Sequence, residues 1–316
     1  MRARSRTKGA LMRRIIGTAM ALALVSCSAC WPTKEAHAAR TRLPRVVIEY
    51  GYQDARDFHE GLAAVMSGDA WGYIDSRGRV ALPFVYEFPE VGPFSEGLAF
   101  VGDRYVDASG APAFEDKTFD DGMPFSQGLA AVQTGGRWGF IDLVGRFVVA
   151  PSYEAAGSFS EGLAPVRKDG LWGYIDTSGR LKIPTQFLDA RPFSEGLAAV
   201  EIHGRYGYID AMGRDLIKAS FDEAGEFKYG LAPVRRHASY RGWGYIDTRG
   251  KLAIPFRYNG ALSFSEGVAA TATDARWGFI NVRGENVLSN LYDEARPFSE
   301  GLAAVRQEDR WGYIRQ

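Results

Sequence analysis

Phe193-Ser-Glu-Gly-Leu-Ala-Ala-Val200, followed shortly by Tyr206-Gly-Tyr-Ile-Asp210, recurs in variant form along almost the whole chain. The Phe-x-x-Gly element begins at Phe58, Phe94, Phe125, Phe159, Phe193, Phe227, Phe264 and Phe298, in steps of 36, 31, 34, 34, 34, 37 and 34 residues. A fixed period near 34 is the signature of a repeat architecture, in which neighbouring units share one core. The eight copies act as an alignment within one chain: what recurs serves the fold, and what one copy adds is a candidate for function.

Residues 180–213 show what one copy contains. Arg180-Leu-Lys-Ile183 alternates as a strand and stops at Pro184. A connection carrying Asp189-Ala-Arg191 follows, then a turn at Phe193-Ser-Glu-Gly196, a strand from Leu197 to Ile202, a hairpin loop at His203-Gly204 and a third strand at Tyr206–Asp210. Each unit therefore reads as three strands of an all-β fold. The closing Asp210-Ala-Met-Gly213 has a turn mechanism: Asp accepts a backbone N–H two residues on, and Gly suits the last position. Asn281 keeps that acceptor in the seventh copy. One carboxylate per copy is too few for a calcium ring, and no metal site or cofactor is expected.

Gly occupies the fourth position of every Phe-x-x-Gly copy, which predicts a positive φ or a close backbone approach. The preceding acidic residue is looser, being Gln127 in one copy and Tyr229 in another, so these glutamates are expected to be solvated or locally paired. Six Trp recur at one repeat position, as in Trp172-Gly-Tyr-Ile-Asp176, and read as core between repeats rather than as a carbohydrate platform.

Phe-Ser-Glu-Gly-Leu-Ala-x-Val, a Trp-Gly-Tyr-Ile-Asp-x-x-Gly block and a following Tyr-Asp/Glu-x-Ala resemble the bacterial WG (KWG) repeat family over about 270 of 316 residues. The resemblance implies β-rich repeats, commonly in secreted or surface proteins, and carries no set of catalytic residues. The second copy departs from it, with Arg104-Tyr-Val-Asp107 and no Trp-Gly, and the eighth ends Trp311-Gly-Tyr-Ile-Arg315. Residues 45–58 align with residues 180–193, so the chain begins with the strand that the eighth copy lacks. A closed β-propeller-like ring, its last unit completed by the first strand, is favoured over an open β-solenoid.

The N-terminus reads as an address. Arg13 and Arg14 precede an apolar run from Ile15 to Val25, 11 residues and too short to span a bilayer core of about 30 Å. Leu24-Val-Ser-Cys27 resembles the lipobox of bacterial lipoproteins, which implies cleavage before Cys27 and its acylation; Ser28 after it implies the outer membrane. The competing site is Ala36-His-Ala38, with periplasmic or secreted export and no lipid. The expected organisation is a signal peptide at 1–26, an anchor and tether at 27–44, and one repeat domain at 45–316.

Removing residues 1–26 leaves 32 basic against 38 acidic residues, a net charge of −6. Such a chain lacks the electrostatic footprint of phosphate binding, so nucleic acid is not an expected partner. Three histidines in the repeats, His59, His203 and His237, stand at different repeat positions, and no nucleophile, metalloprotease or phosphate-loop motif appears. The favoured reading is a non-enzymatic binding or scaffold module for a protein or envelope component; a structural envelope spacer and a glycan-acting enzyme are the alternatives. An exposed rim rich in apolar residues would separate a binding module from a spacer. The sixth copy carries a longer hairpin between Val234 and Trp243, which gathers Arg235, Arg236, His237, Tyr240 and Arg241 as a candidate loop for an anionic partner.

Overall fold

The computed structural model describes residues 44–87, 91–236 and 241–316. Cys27, the signal and most of the tether lie outside the described residues, as do His237 and Tyr240 of the sixth-copy hairpin. The described chain is all β. Seven four-stranded antiparallel sheets and one two-stranded sheet follow one another, so seven of the eight copies form full blades and the second a reduced one. Blade 4 shows the plan, with strands Ala155–Ala156, Leu163–Lys168, Leu171–Asp176 and Leu181–Phe187 in spatial order.

The expected unit of three strands is corrected in two ways. The Asp189-Ala190 pair, read as part of a connection, is itself a two-residue first strand. The strand that opens residues 180–213 belongs to the preceding blade as its fourth strand. The N-terminal strand Arg45–Tyr52 accordingly pairs with Arg310–Arg315 and completes blade 8, as a closed ring requires.

Closure is then the same junction as every other. The Tyr or Phe that follows Trp-Gly, or its equivalent, packs on the Phe that opens the next copy in all eight junctions, with ring centroids 4.7 Å apart at Tyr208–Phe227 and 4.9 Å at Tyr313–Phe58, where the ring shuts. Aromatic pairs in tilted or edge geometry contribute about 0.5–1.5 kcal/mol each beyond their burial. Where the residue is Tyr, its hydroxyl donates to a backbone carbonyl of the neighbouring blade, as Tyr174 does to Arg191 at 2.7 Å and Tyr313 to Arg56 at 2.7 Å. Burial raises the pKa of these phenols well above its usual value, which keeps them neutral donors.

The Phe-Ser-Glu-Gly turns form a second set of links. Ser194 and Leu197 exchange backbone hydrogen bonds around Glu195 (φ 55°) and Gly196 (φ 79°), a two-residue hairpin with both central residues left-handed. An L-residue at that φ costs about 1 kcal/mol. The glutamate nevertheless has a reason to be there: its carboxylate accepts the N–H of the next copy's glycine, Glu195 from Gly230 at 2.9 Å and Glu300 from Gly61 at 2.9 Å across the closure. Seven of the eight turns are hooked in this way, Gln127 serving as well as Glu because only an acceptor oxygen is needed. The glutamates expected to be solvated or locally paired are inter-blade hooks. Their identity could vary because their chemistry is acceptance, not charge.

The Asp-x-x-Gly turns behave as expected. Asp176 Oδ1 accepts N–H of Ser178 and Arg180 at 3.0 and 3.1 Å, and Gly179 N–H bonds the Asp176 carbonyl at 2.8 Å. A hydrogen bond from the Ser178 hydroxyl is the largest cause lowering the pKa of the Asp176 carboxyl. At Gly196 an added Cβ meets nothing within 4 Å, so only the positive φ opposes it. Gly196→Ala should therefore cost about 1 kcal/mol in chemical denaturation; an unchanged midpoint would show that backbone conformation is not what holds glycine there.

Candidate functional site

Because the polar groups common to the copies are spent on turns and hooks, candidate sites lie where copies differ. Ser Oγ bonds the next copy's opening Phe carbonyl in six junctions, including Ser299 to Phe58 at 2.5 Å across the closure. In the sixth copy both linking residues are replaced: Lys228 stands for Ser and Tyr229 for Glu. Tyr229 is 55% exposed at φ 57°, an unfavourable backbone for a bulky residue, and presents an aromatic ring at the turn end of the ring.

That end carries most of the exposed apolar surface. Of the fourteen large exposed hydrophobics among the described residues, ten lie in the Asp-x-x-Gly turns or the first two positions of the strands that follow them. Blade 3 contributes Leu143 and Val144 in the turn with Phe147 and Val148 after it, and blade 5 contributes Met212, 78% exposed. Other copies use Ser or Arg at the position of Val144 and Met212, and Ser, Thr, Ala or Val at that of Leu143. The fourth strands themselves are shielded against edge-to-edge pairing by Pro83, Pro151, Pro184 and Pro255.

The third feature is a cavity of about 770 Å³ lined by segments in and beside the first strands of blades 8, 1, 2 and 3. Only the ring axis brings four consecutive blades together, so this is the central channel. Its opening follows from the reduced blade. Trp71 and Trp311 lie under Arg56 and Arg296 of their own blades, each guanidinium 5.1 Å from the ring centroid. In blade 2 the Trp position is Asp103 and the Arg position Gly92. Phe100, where other copies have Ala or Pro, fills only part of the space and lines the cavity.

The sixth-copy loop is placed on the opposite end of the blade from the hooked turns, between the second and third strands. The structure engages its described arginines within the fold. Arg235 pairs with Glu223, Arg241 pairs with Asp274 at 2.6 Å, and Arg236 stacks over Phe221 at 5.1 Å. Of the repeat histidines, His59 borders the channel cavity and His203 sits in an exposed hairpin, so these two are not brought together. The channel lining is not legible from the copies because the first strand reads in sequence as a connection. Its variable third position, Arg56, Gly92, Met123, Gly157, Arg191, Gly225, Leu262 and Arg296, was the available signal.

Among solved structures, the chain is similar to a crystal structure of a eukaryotic initiation factor, with TM-score 0.56, 11% identity, and 83% of each chain covered. It is also similar to the C-terminal WD40 domain of Sif2, with TM-score 0.56, 10% identity, and 87% of this chain and 98% of that chain covered. At such identities the likeness is one of fold. No curated protein matches the chain in sequence. The sequence model of the WG containing repeat matches eight segments, at 42–69, 71–102, 116–138, 138–172, 172–206, 206–237, 243–274 and 277–311. With its glycines, hooks and aromatic junctions recurring around one closed ring, the chain belongs to the WG-repeat family.

Proposed function

We propose that this chain is a non-enzymatic binding module that engages a protein or envelope component through the turn end of its ring. A propeller fold alone does not determine function. The observation that carries the reading is the concentration of exposed apolar side chains on one end, the feature that distinguishes a binding module from a spacer. Val144 and Met212 are exposed without any need of the fold, since the other copies place Ser or Arg at this turn position; Leu143 beside Val144, and Phe147 and Val148 at the start of the next strand, extend the patch. Crosslinking and capture from native envelopes with the mature chain tests it. Val144→Asp with Phe147→Asp and Met212→Asp should lose capture while melting as the parent does; full capture by that variant would overturn the assignment of this rim.

The module is proposed to be exported and held by lipid at Cys27, most simply in the outer membrane, on the strength of Leu24-Val-Ser-Cys27 and Ser28. Two or three acyl chains give firm anchorage where one gives only marginal binding. Cys27→Ser should move the protein from the membrane to the soluble fraction. Continued membrane association, with cleavage after Ala38, would refute the anchor.

A further inference from the structure

Each Phe-x-x-Gly turn offers backbone N–H groups to the copy before it. In the second copy one carboxylate takes two of them: Glu96 and Gly97 donate to the two oxygens of Glu60 at 2.7 and 2.9 Å. In six further copies the glycine N–H makes the bond, as Gly196 does to Glu161 and Gly301 to Glu266. Successive N–H groups in such a turn form a concave anion site, and in this chain six of the seven groups that fill it are carboxylates, the other being the Gln127 carboxamide.

The seventh copy has the same turn without the hook. Glu266 (φ 51°) and Gly267 (φ 80°) keep the left-handed pair of conformations seen at Glu96 (φ 55°) and Gly97 (φ 83°), and Ser265 and Val268 exchange backbone hydrogen bonds as Ser95 and Leu98 do. The position that supplies the carboxylate elsewhere is Tyr229, and neither N–H has a hydrogen-bond partner among the described residues. Glu266 is exposed and Gly267 half-buried, so a ligand can reach both.

The same junction has also exchanged a hydroxyl for a cation. Lys228 stands where Ser194 bonds the next copy's Phe carbonyl at 2.6 Å. Its side chain is 47% exposed, and its ion-pair contact among the described residues is a long one, to Glu226 at 4.0 Å. The blades stay joined by Tyr245, whose ring lies 5.0 Å from that of Phe264 and whose hydroxyl donates to Leu262 at 2.8 Å. An ammonium group beside two free N–H groups favours an anion, and the exposed Tyr229 ring adds contact area next to it.

We propose that the unhooked turn of the seventh copy binds a carboxylate of a partner protein, as its siblings bind a carboxylate of the neighbouring copy. The N–H groups of Glu266 and Gly267 donate to its oxygens, Lys228 balances its charge, and Tyr229 packs on the adjoining chain. The site lies at the turn end and so rests on the reading of that end as the binding face, but it shares no residue with the rim variant above.

Amide NMR on the full chain tests it with three probes: acetyl-Ala-Glu-Ala-amide, acetyl-Ala-Gln-Ala-amide, and acetyl-Ala-Ala-Ala with a free terminal carboxylate. The Glu probe, the free-terminus probe or both should shift the Gly267 and Glu266 amides saturably, and the tighter of the two identifies the source of the carboxylate. The Gln probe should bind at least about threefold more weakly, having the acceptor without the charge. Tyr229→Glu should supply the hook within the chain, move the Gly267 amide toward the positions of Gly230 and Gly301, and abolish binding of every probe. No saturable shift from either carboxylate, or undiminished binding by Tyr229→Glu, would overturn the proposal. If the probes fail while the rim variant still loses envelope capture, this site falls and the binding face stands; if the probes bind while the rim variant captures fully, the reverse holds.

Discussion

Gly173→Ala should cost roughly 3 kcal/mol, well beyond the effect at Gly196, although both glycines recur in the repeat. The reasons differ. Gly173 does not have a positive φ, but an added Cβ would stand 2.5 Å from the Ile183 carbonyl oxygen and 2.8 Å from both Pro184 C and Thr185 N. All three are backbone atoms. They belong to a bulge: Trp172 pairs with Phe187 and Tyr174 with Ile183, so between these pairs the single Gly173 faces three residues, 184–186, which arch over it. Moving that arch would break the flanking pairs that seat Tyr174 against Phe193. Urea unfolding of the two variants provides the comparison, and a Gly173→Ala loss no larger than that of Gly196→Ala would sink the account.

The same geometry explains the dipeptide that marks the family. Blades 1, 3, 5, 6, 7 and 8 repeat the contact, Gly72, Gly139, Gly207, Gly244, Gly278 and Gly312 each lying under a backbone atom that a Cβ would meet at 2.5–2.8 Å. Blade 2 is the control. It has Arg104 at this position, and its fourth strand is reduced to a single bridge between Val106 and Pro112, with no arch to accommodate. One substitution thus accompanies a shorter blade, and the shorter blade borders the channel cavity.

Much of the ring was legible in the sequence because its determinants are periodic. The Phe-x-x-Gly step, the Asp-x-x-Gly turn and the alignment of residues 45–58 with 180–193 each survive as observed elements. What was not legible has specific physical causes. A first strand of two residues, such as Asp189–Ala190, is below the length at which alternation can be recognised. The role of Glu195 depends on a group 35 residues away, Gly230 N–H, and a tolerated Gln127 made the position look dispensable. The engagement of Arg235 and Arg241 with Glu223 and Asp274 is likewise a cross-blade or cross-strand fact that local charge counting misses. Cavity, rim and loop all sit where copies diverge, which is where an internal alignment has least to say.

Deleting residues 45–52 should have the largest effect of all. This strand runs antiparallel to Arg310–Arg315 as the fourth strand of blade 8, and Ile48, 6% exposed, enters the core with Trp311 and Tyr313. Val46 and Tyr50 pack on the neighbouring core of blade 7 and blade 8, and Val47 and Tyr52 on that of blade 1. One buried and four partly buried side chains are worth about 5 kcal/mol or more, on the scale of 1.5–3 kcal/mol for each fully buried one. That is a sizeable part of the roughly 5–15 kcal/mol by which a domain is stable, and it corresponds to a fall of about 10–20 °C in melting temperature. The junction between blades 8 and 1 keeps its own contacts, Ser299 to Phe58, Glu300 to Gly61 and Tyr313 to Arg56, so the truncated ring should open at its last blade before the others melt. Removing the strand also bares the Arg310–Arg315 edge, which an added peptide of residues 45–52 should pair with and restabilise. A truncated chain that melts with the parent would show that the ring is closed by its turns and aromatic pairs alone, without need of the N-terminal strand.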